Sequence, residues 1–310
     1  MRNFFIDKNG NIALDLIEFQ GAGTFSEGLA TFRTSQYLSG YIDKKGTIII
    51  KPQFDFASPF SQGLATVRIV EKSLIYRNIK WAVIDKDGKR IFEIDCDRLY
   101  SFSGNIAVAE RAGKYCFVNR RGETVHSIDK NKFYIDSNIV RGFSEGLIAV
   151  RNVEKKKCGF MDKTGKFVIE PKFKDAANFS EGLARVSIKE NHREYLGFIN
   201  PEGEFVIEPK FDIDCDFLRC TNDFSEGWAS LIAGPPTMGK SQNFMYIDKS
   251  GEIVLRTEFF RAECFHEGLA VVWDERTDRY GYIDKSGKLA IPLKYAWADN
   301  FSEGLASITL

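Results

Sequence analysis

The sequence is poor in several features that mark familiar classes of protein. No run of residues approaches the roughly 18 consecutive apolar residues of a membrane span, so no membrane is expected as a partner. The opening stretch, MRNFFIDKNG, contains no apolar segment of the kind that directs secretion, and a cytoplasmic location is expected. There are only three histidines (His126, His192, His266), and none of the six cysteines forms a C-x-x-C pair, which excludes the usual zinc spacings. Cys96, Cys116, Cys158, Cys215, Cys220 and Cys264 are expected as free, buried thiols; Cys96 takes the place that Phe54 holds in its repeat. Charge of one sign is missing too. Lys and Arg total 43, as do Asp and Glu, so nothing in bulk electrostatics favours nucleic acid. The one short cluster, Lys155–Lys157, reads as a solvated loop. No amphipathic pattern longer than a turn or two points to a helix.

What the chain does have is itself, eight times over. F-S-E-G-L-A and its variants begin at Phe25, Phe60, Phe102, Phe143, Phe179, Phe224, Phe265 and Phe301. Alternating with them, Y-I-D-K-x-G and its variants begin at Phe5, Tyr41, Val83, Phe117, Phe160, Phe198, Tyr246 and Tyr282. A weaker third element follows, as in IIIKPQFDFA and VIEPKFKDAA. The period of about 40 residues falls in the range of propellers and solenoids. From the glycine of the second motif to the next phenylalanine is 14 residues in five of the repeats, whereas the span from F-S-E-G to the next Y-I-D varies. One connection is a ruler and the other a variable loop.

Local chemistry predicts β-structure. Ala184, Val186 and Ile188 alternate with Arg185 and Ser187, the period of a half-buried strand. D-K-x-G joins two apolar runs as a turn, its Asp accepting backbone N–H groups and its Gly free to take positive φ. F-S-E-G reads as a tighter corner led by a core phenylalanine, with the glutamate bonding its own corner. Each repeat then offers about three antiparallel strands. The chain starts and ends in mid-repeat, so that seven units, starting at 25, 60, 102, 143, 179, 224 and 265, are joined by an eighth composed of 301–310 plus 1–24. The fold expected is a single all-β domain over 1–310, a closed β-propeller-like ring. An open β-solenoid or superhelical stack is the alternative.

The pattern G-Y-I-D-x-x-G-x-x-V-I-x-P-x-F-D-x-A-x-x-F-S-E-G-L-A is close at Gly40–Ala65 and Gly159–Ala184, and it resembles the WG β-repeat family of bacterial proteins. The Trp-Gly pair of that family survives as Ser39-Gly40, Trp81-Ala82, Cys158-Gly159, Leu196-Gly197 and Tyr280-Gly281. The resemblance covers essentially the whole chain and brings no catalytic residues with it.

Two motifs invite a sharper reading and do not support it. GPPTMGKS at 234–241 matches the phosphate-binding pattern G-x-x-x-x-G-K-[ST]. A working loop of that kind runs into a helix N-terminus; here the next segment is another strand and turn, and Pro235 and Pro236 remove two donors. Asp85-x-Asp87-Gly88 resembles a calcium loop, but the turn itself accounts for Asp85. No cofactor and no metal is expected. The function expected is a non-enzymatic scaffold, monomeric, that binds a protein or peptide through variable loops on one rim. The candidate rim residues are Tyr76, Arg77, Lys80, His192, Arg193, Tyr195, Thr237, Met238, Lys240, Arg276, Arg279 and Tyr280, because Arg and Tyr favour interface hot spots. The alternatives are a small-ligand or carbohydrate binder using Trp81, Trp228, Trp273 or Trp297 as platforms, and a hydrolase with a site in a central funnel.

Overall fold

A computed structural model describes residues 2–16, 19–72, 77–136, 142–212, 222–232 and 244–310. Among these, every regular element is a strand. The strands form eight antiparallel sheets, seven of four strands and one in which three are described. They are the blades of a β-propeller: blade 1 spans 21–54, blade 2 56–94, blade 3 98–129, blade 4 133–173, blade 5 175–212, blade 6 228–256 and blade 7 261–295. Blade 8 combines Trp297–Ala298 and Ala306–Thr309 with Asn3–Ile6 and Ile12–Asp15. Asn3 pairs with Thr309 and Ile6 with Ala306, so two strands from each end complete one sheet, and the ring is closed rather than open.

The expectation of three strands per repeat is corrected to four. The missed strand is the first and shortest, two residues long in several blades, as at Phe56–Ala57 and Trp297–Ala298. Two residues cannot display a period of two, and this strand follows so closely on the fourth strand of the preceding blade that the two read as one run. Each blade therefore starts a few residues before its F-S-E-G corner.

The turns follow their residues. Asp43 Oδ1 accepts the N–H groups of Lys45 and Thr47, and Gly46 takes φ 81° to close the hairpin. Asp7, Asp85, Asp162, Asp248 and Asp284 repeat the arrangement. At the F-S-E-G corners the serine and the residue after glycine exchange backbone bonds around two residues of positive φ. This is the primed hairpin that matches strand twist.

The core lies between blades. The aromatic ring of the Y-I-D motif packs on the corner phenylalanine of the next blade, with centroids 4.7–4.9 Å apart, in seven pairs running from Phe5–Phe25 to Tyr282–Phe301. Where the ring is a tyrosine, its hydroxyl also donates to a main-chain carbonyl of that blade, as Tyr41 does to Ser58 at 2.8 Å. The phenylalanine is thus the anchor its motif suggests, but of the seam rather than of its own unit.

Candidate functional site

Strand order fixes which connections share a face of the ring. The corners between first and second strands and the D-K-x-G turns between third and fourth lie on one face, here called the corner face. The turns between second and third strands, with the blade-to-blade crossovers, lie on the other, the turn face.

The corner face is occupied by a repeating lock. Ser26 Oγ donates to the carbonyl of Phe60 in the next blade at 2.7 Å, and Ser61, Ser144, Ser180, Ser225 and Ser302 do likewise, the last reaching Phe25 across the closure. The corner glutamates do not bond their own corners as expected. Each reaches forward: Glu27 accepts from Gly63, Glu145 from Gly182, Glu181 from Gly227, Glu226 from Gly268, Glu267 from Gly304 and Glu303 from Gly28. The lysine of the next blade's D-K-x-G turn completes five of these sites, as Lys44 does 3.1 Å from Glu303. To aim this way each glutamate sits at φ between 51° and 55°, a left-handed conformation costing a β-carbon-bearing residue about 1–2 kcal/mol. At Glu27, burial works to raise the carboxyl pKa, but the Gly63 N–H and the Lys86 ammonium outweigh it and hold the group below the ordinary range. Glu181 and Glu267 are lowered by the same combination. The glutamate is replaced by Gly104 in one blade and the lysine by Pro201 in another.

The turn face carries the rim residues. Lys80 lies on the third strand of blade 2, and Arg77 on the same strand. His192 is at the tip of a tight blade 5 hairpin at φ 67°, followed on the third strand by Arg193 and Tyr195. Arg193 pairs with Asp212 on its own blade at 3.3 Å. Arg276 is exposed in the blade 7 turn, followed by Arg279 and Tyr280. Tyr76, Thr237, Met238 and Lys240 lie outside the described residues, as does the whole of 234–241. The described candidates therefore share a face, but blade 2 stands apart from blades 5 and 7. The blade 7 turn bonds within itself: Thr277 Oγ to Asp274, Asp278 N–H to the Asp274 carbonyl, and Trp273 Nε1 to Asp278.

The first strands line the centre. Residues at the corners of blades 5 to 8 surround one cavity of about 350 Å³. Arg185, 6% exposed, donates from Nε to Asp223 at 2.7 Å across blades 5 and 6, while Cys264 Sγ donates to the Asp223 carbonyl at 3.0 Å. Burial, with the Asp223 and Glu263 charges, pushes the Cys264 thiol up to about 12, which holds it protonated and poorly nucleophilic. Beside this channel, burial raises the Asp299 carboxyl pKa, and the nearby Glu263 charge adds to it. Among the described residues no group of three or more His, Cys, Asp or Glu is placed to hold a metal ion. Cys96, Cys116, Cys158 and Cys264 are all free; Cys116 and Cys158 are buried, Cys96 and Cys264 partly so, while Cys215 and Cys220 lie outside the described residues.

The four tryptophans do not act as equivalent platforms. Trp81 is 4% exposed and belongs to a seam cluster; Trp228 packs edge-on against Phe265; Trp273 packs against Phe260. Trp297 alone of the four is well exposed, beside a cavity of about 210 Å³ between blades 7 and 8.

Glycine at the family's Trp-Gly position has a backbone cause. A β-carbon on Gly40 would stand 2.5 Å from the Ile50 carbonyl oxygen, and one on Gly159 2.5 Å from that of Ile169 and 2.7 Å from Pro171 N. The fourth strand bulges over the third here. The family model for the WG containing repeat matches residues 4–35, 40–72, 81–115, 159–191, 197–230, 244–272 and 280–310. The chain belongs to the WG repeat family. Among solved structures it is similar to BamB from Moraxella catarrhalis, with TM-score 0.52 and 10% identity over 99% of this chain and 98% of that one. It is similar also to a eukaryotic initiation factor, with TM-score 0.54 and 11% identity over 96% of this chain and 86% of that one. At such identity the likeness shows the propeller fold alone. A search of curated proteins returned no significant match.

Proposed function

We propose that this WG-repeat propeller is a non-enzymatic interaction scaffold of the cytoplasm that binds a protein or peptide through its turn face. The observation that carries the reading is the division of labour between faces. The corner face is committed to closure, blade after blade, through Ser, Glu and Lys. The turn face carries the connections whose lengths vary, with Arg193, Tyr195, Arg276, Arg279 and Tyr280 standing on or beside them. Loops held on a rigid frame are where binding residues concentrate, and Arg and Tyr are favoured as interface anchors.

The test is quantitative cross-linking and capture from native lysate with three proteins: wild type, an Arg193→Ala/Tyr195→Ala/Arg276→Ala/Arg279→Ala variant, and a Lys8→Ala variant of the corner face. A partner held by wild type and Lys8→Ala but lost from the fourfold variant, with all three folded by circular dichroism, supports the turn face. A partner lost only from Lys8→Ala sinks the reading.

A further inference from the structure

The blade seams differ in what fills them, and the one between blades 1 and 2 is open. Near the turn face the blades described with four strands present a cross-strand row to their next neighbour. In blade 2 the row is Phe56–Arg68–Trp81, in which Phe56 pairs with Arg68 and Arg68 with Trp81. The rings of Phe56 and Trp81 meet edge-on at 5.5 Å, and the Arg68 guanidinium lies 5.8 Å from the Trp81 ring centre. Trp81 closes the seam to blade 3 by donating Nε1–H to the carbonyl of Asp97 at 3.3 Å. In blade 1 the same row is Gly21–Arg33–Ser39. Both rings are missing. The arginine is also withdrawn: its guanidinium stacks 5.2 Å from the Tyr37 ring centre and its Nε donates to the Tyr37 carbonyl. In blade 4, by contrast, the small Cys158 is compensated by Arg151, which crosses the seam to Asp175 of blade 5 and leaves a cavity of only about 10 Å³.

The result between blades 1 and 2 is a cavity of about 320 Å³ lined by Gly21, Arg33, Ser39, Asp55, Phe56 and Ala57 among others, within the size range of ligand sites, about 300–1,000 Å³. Its far wall supplies the equivalent acceptor. Asp55 N–H bonds the Arg68 carbonyl just as Asp97 N–H bonds that of Glu110, so the Asp55 carbonyl corresponds to the one Trp81 uses. One carboxylate oxygen of Asp55 has no hydrogen-bond partner, the other being held by Arg68. The space therefore has the wall and the acceptor of a tryptophan site, without the tryptophan.

We propose that this seam receives an indole side chain from a partner polypeptide, which takes the place that Trp81 occupies one blade further on. Its ring lies against the Gly21–Arg33–Ser39 row and its N–H is donated to Asp55. The proposal rests on the scaffold reading in that the occupant is a polypeptide. Tryptophan is among the residues that most often anchor interfaces, because it buries a large rigid surface and ends in a single donor.

The test uses the protein's own chemistry to fill the gap. Ser39→Trp supplies the missing indole, and Gly21→Phe supplies the other ring where an added β-carbon meets nothing within 4 Å. A displayed library of random peptides is selected on wild type, and the selected peptides are titrated against both variants and against the fourfold turn-face variant above. The expected result is enrichment of tryptophan at one peptide position, with affinity falling by about tenfold or more in each folded seam variant, the loss of one buried anchor. Peptides without tryptophan, or peptides that bind Ser39→Trp and Gly21→Phe as tightly as wild type, overturn the proposal. If those same peptides are lost from the turn-face variant, the scaffold reading stands without it. If they bind every variant equally, both readings fall. Free indole that binds the seam as tightly as the whole peptide would identify a small-molecule site instead and overturn the polypeptide assignment.

Discussion

The Glu303 carboxylate accepts the backbone N–H of Gly28 at 3.0 Å, joining residues 275 apart in the chain. The same carboxylate lies 3.1 Å from Lys44 Nζ, which also donates to the Glu303 carbonyl at 2.9 Å. This is one turn of a contact repeated around the corner face, and here it falls at the closure between blades 8 and 1. Such a bond satisfies a corner donor, and at the closure it helps offset the entropic cost of bringing two ends of the chain together.

Replacing Glu303 with Ala should therefore destabilise the protein by about 1.5–3 kcal/mol, the range for a hydrogen bond to a charged group. It leaves the Gly28 N–H and the Lys44 ammonium without their acceptor. Glu303→Gln, which keeps an acceptor but loses the charge, should cost less. Glu145→Ala should cost less than Glu303→Ala, because Pro201 stands where a lysine would complete that site. Urea unfolding followed by tryptophan fluorescence reads all three; equal midpoints for Glu303→Ala and wild type would contradict the assigned role.

Acid sensitivity follows from the same carboxylates. Glu27, Glu181 and Glu267 titrate below the ordinary glutamate value when folded, as do the turn aspartates Asp43, Asp162, Asp248 and Asp284, whose oxygens accept hydrogen bonds within the turn. For an acid with a depressed folded pKa, the unfolded chain binds more protons as the pH falls. Its stabilisation is complete above the unfolded value, about 4, and is lost as pH drops through the folded one. Asp299, raised by burial, acts in the opposite sense and weakens the fold at neutral pH. The urea midpoint should thus hold steady near neutrality and fall below about pH 4.5. Combining Glu27→Gln, Glu181→Gln and Glu267→Gln should flatten that fall, and Asp299→Asn should raise the neutral midpoint. A triple variant with an unchanged acid limb would place the sensitivity elsewhere.

Where the chain repeats, its sequence was legible, and where its parts reach across a seam it was not. The D-K-x-G turns could be read because Asp and Gly act within a few residues of themselves. Ring closure could be read because the two chain ends carry complementary halves of one motif. The two-residue inner strand was hidden by its length. The glutamate's target was hidden because the carboxylate bonds a corner about 40 residues away, and one chain alone offers no distance information. The open seam needed both kinds of knowledge: the columns that hold Phe56 and Trp81 in one blade and Gly21 and Ser39 in another, and the register that makes those columns neighbours.

The glycine of the Trp-Gly position supplies a test of backbone fit that is independent of charge. Gly40, Gly159, Gly197 and Gly281 each lie under the fourth strand, where an added β-carbon would meet main-chain atoms at 2.5–2.8 Å. Main chain cannot rotate aside as a side chain can. All four strands carry a proline at the bulge opposite, Pro52, Pro171, Pro209 and Pro292, and for the last three the proline's atoms or immediate neighbours are among those met. Blade 2 is one of four blades without glycine here: it holds Ala82 at this position, and there Glu93 pairs directly opposite, with no bulge between Glu93 and Ile94. Gly159→Ala should accordingly cost about 1–3 kcal/mol, the range for overpacking a filled interior, while Ala82→Gly should cost less, about 0.5–1 kcal/mol, from chain entropy in a strand. The order of the two unfolding midpoints decides it. If Gly159→Ala unfolds no earlier than Ala82→Gly, the bulge is able to yield, and the glycine is not held there by its contact with the fourth strand.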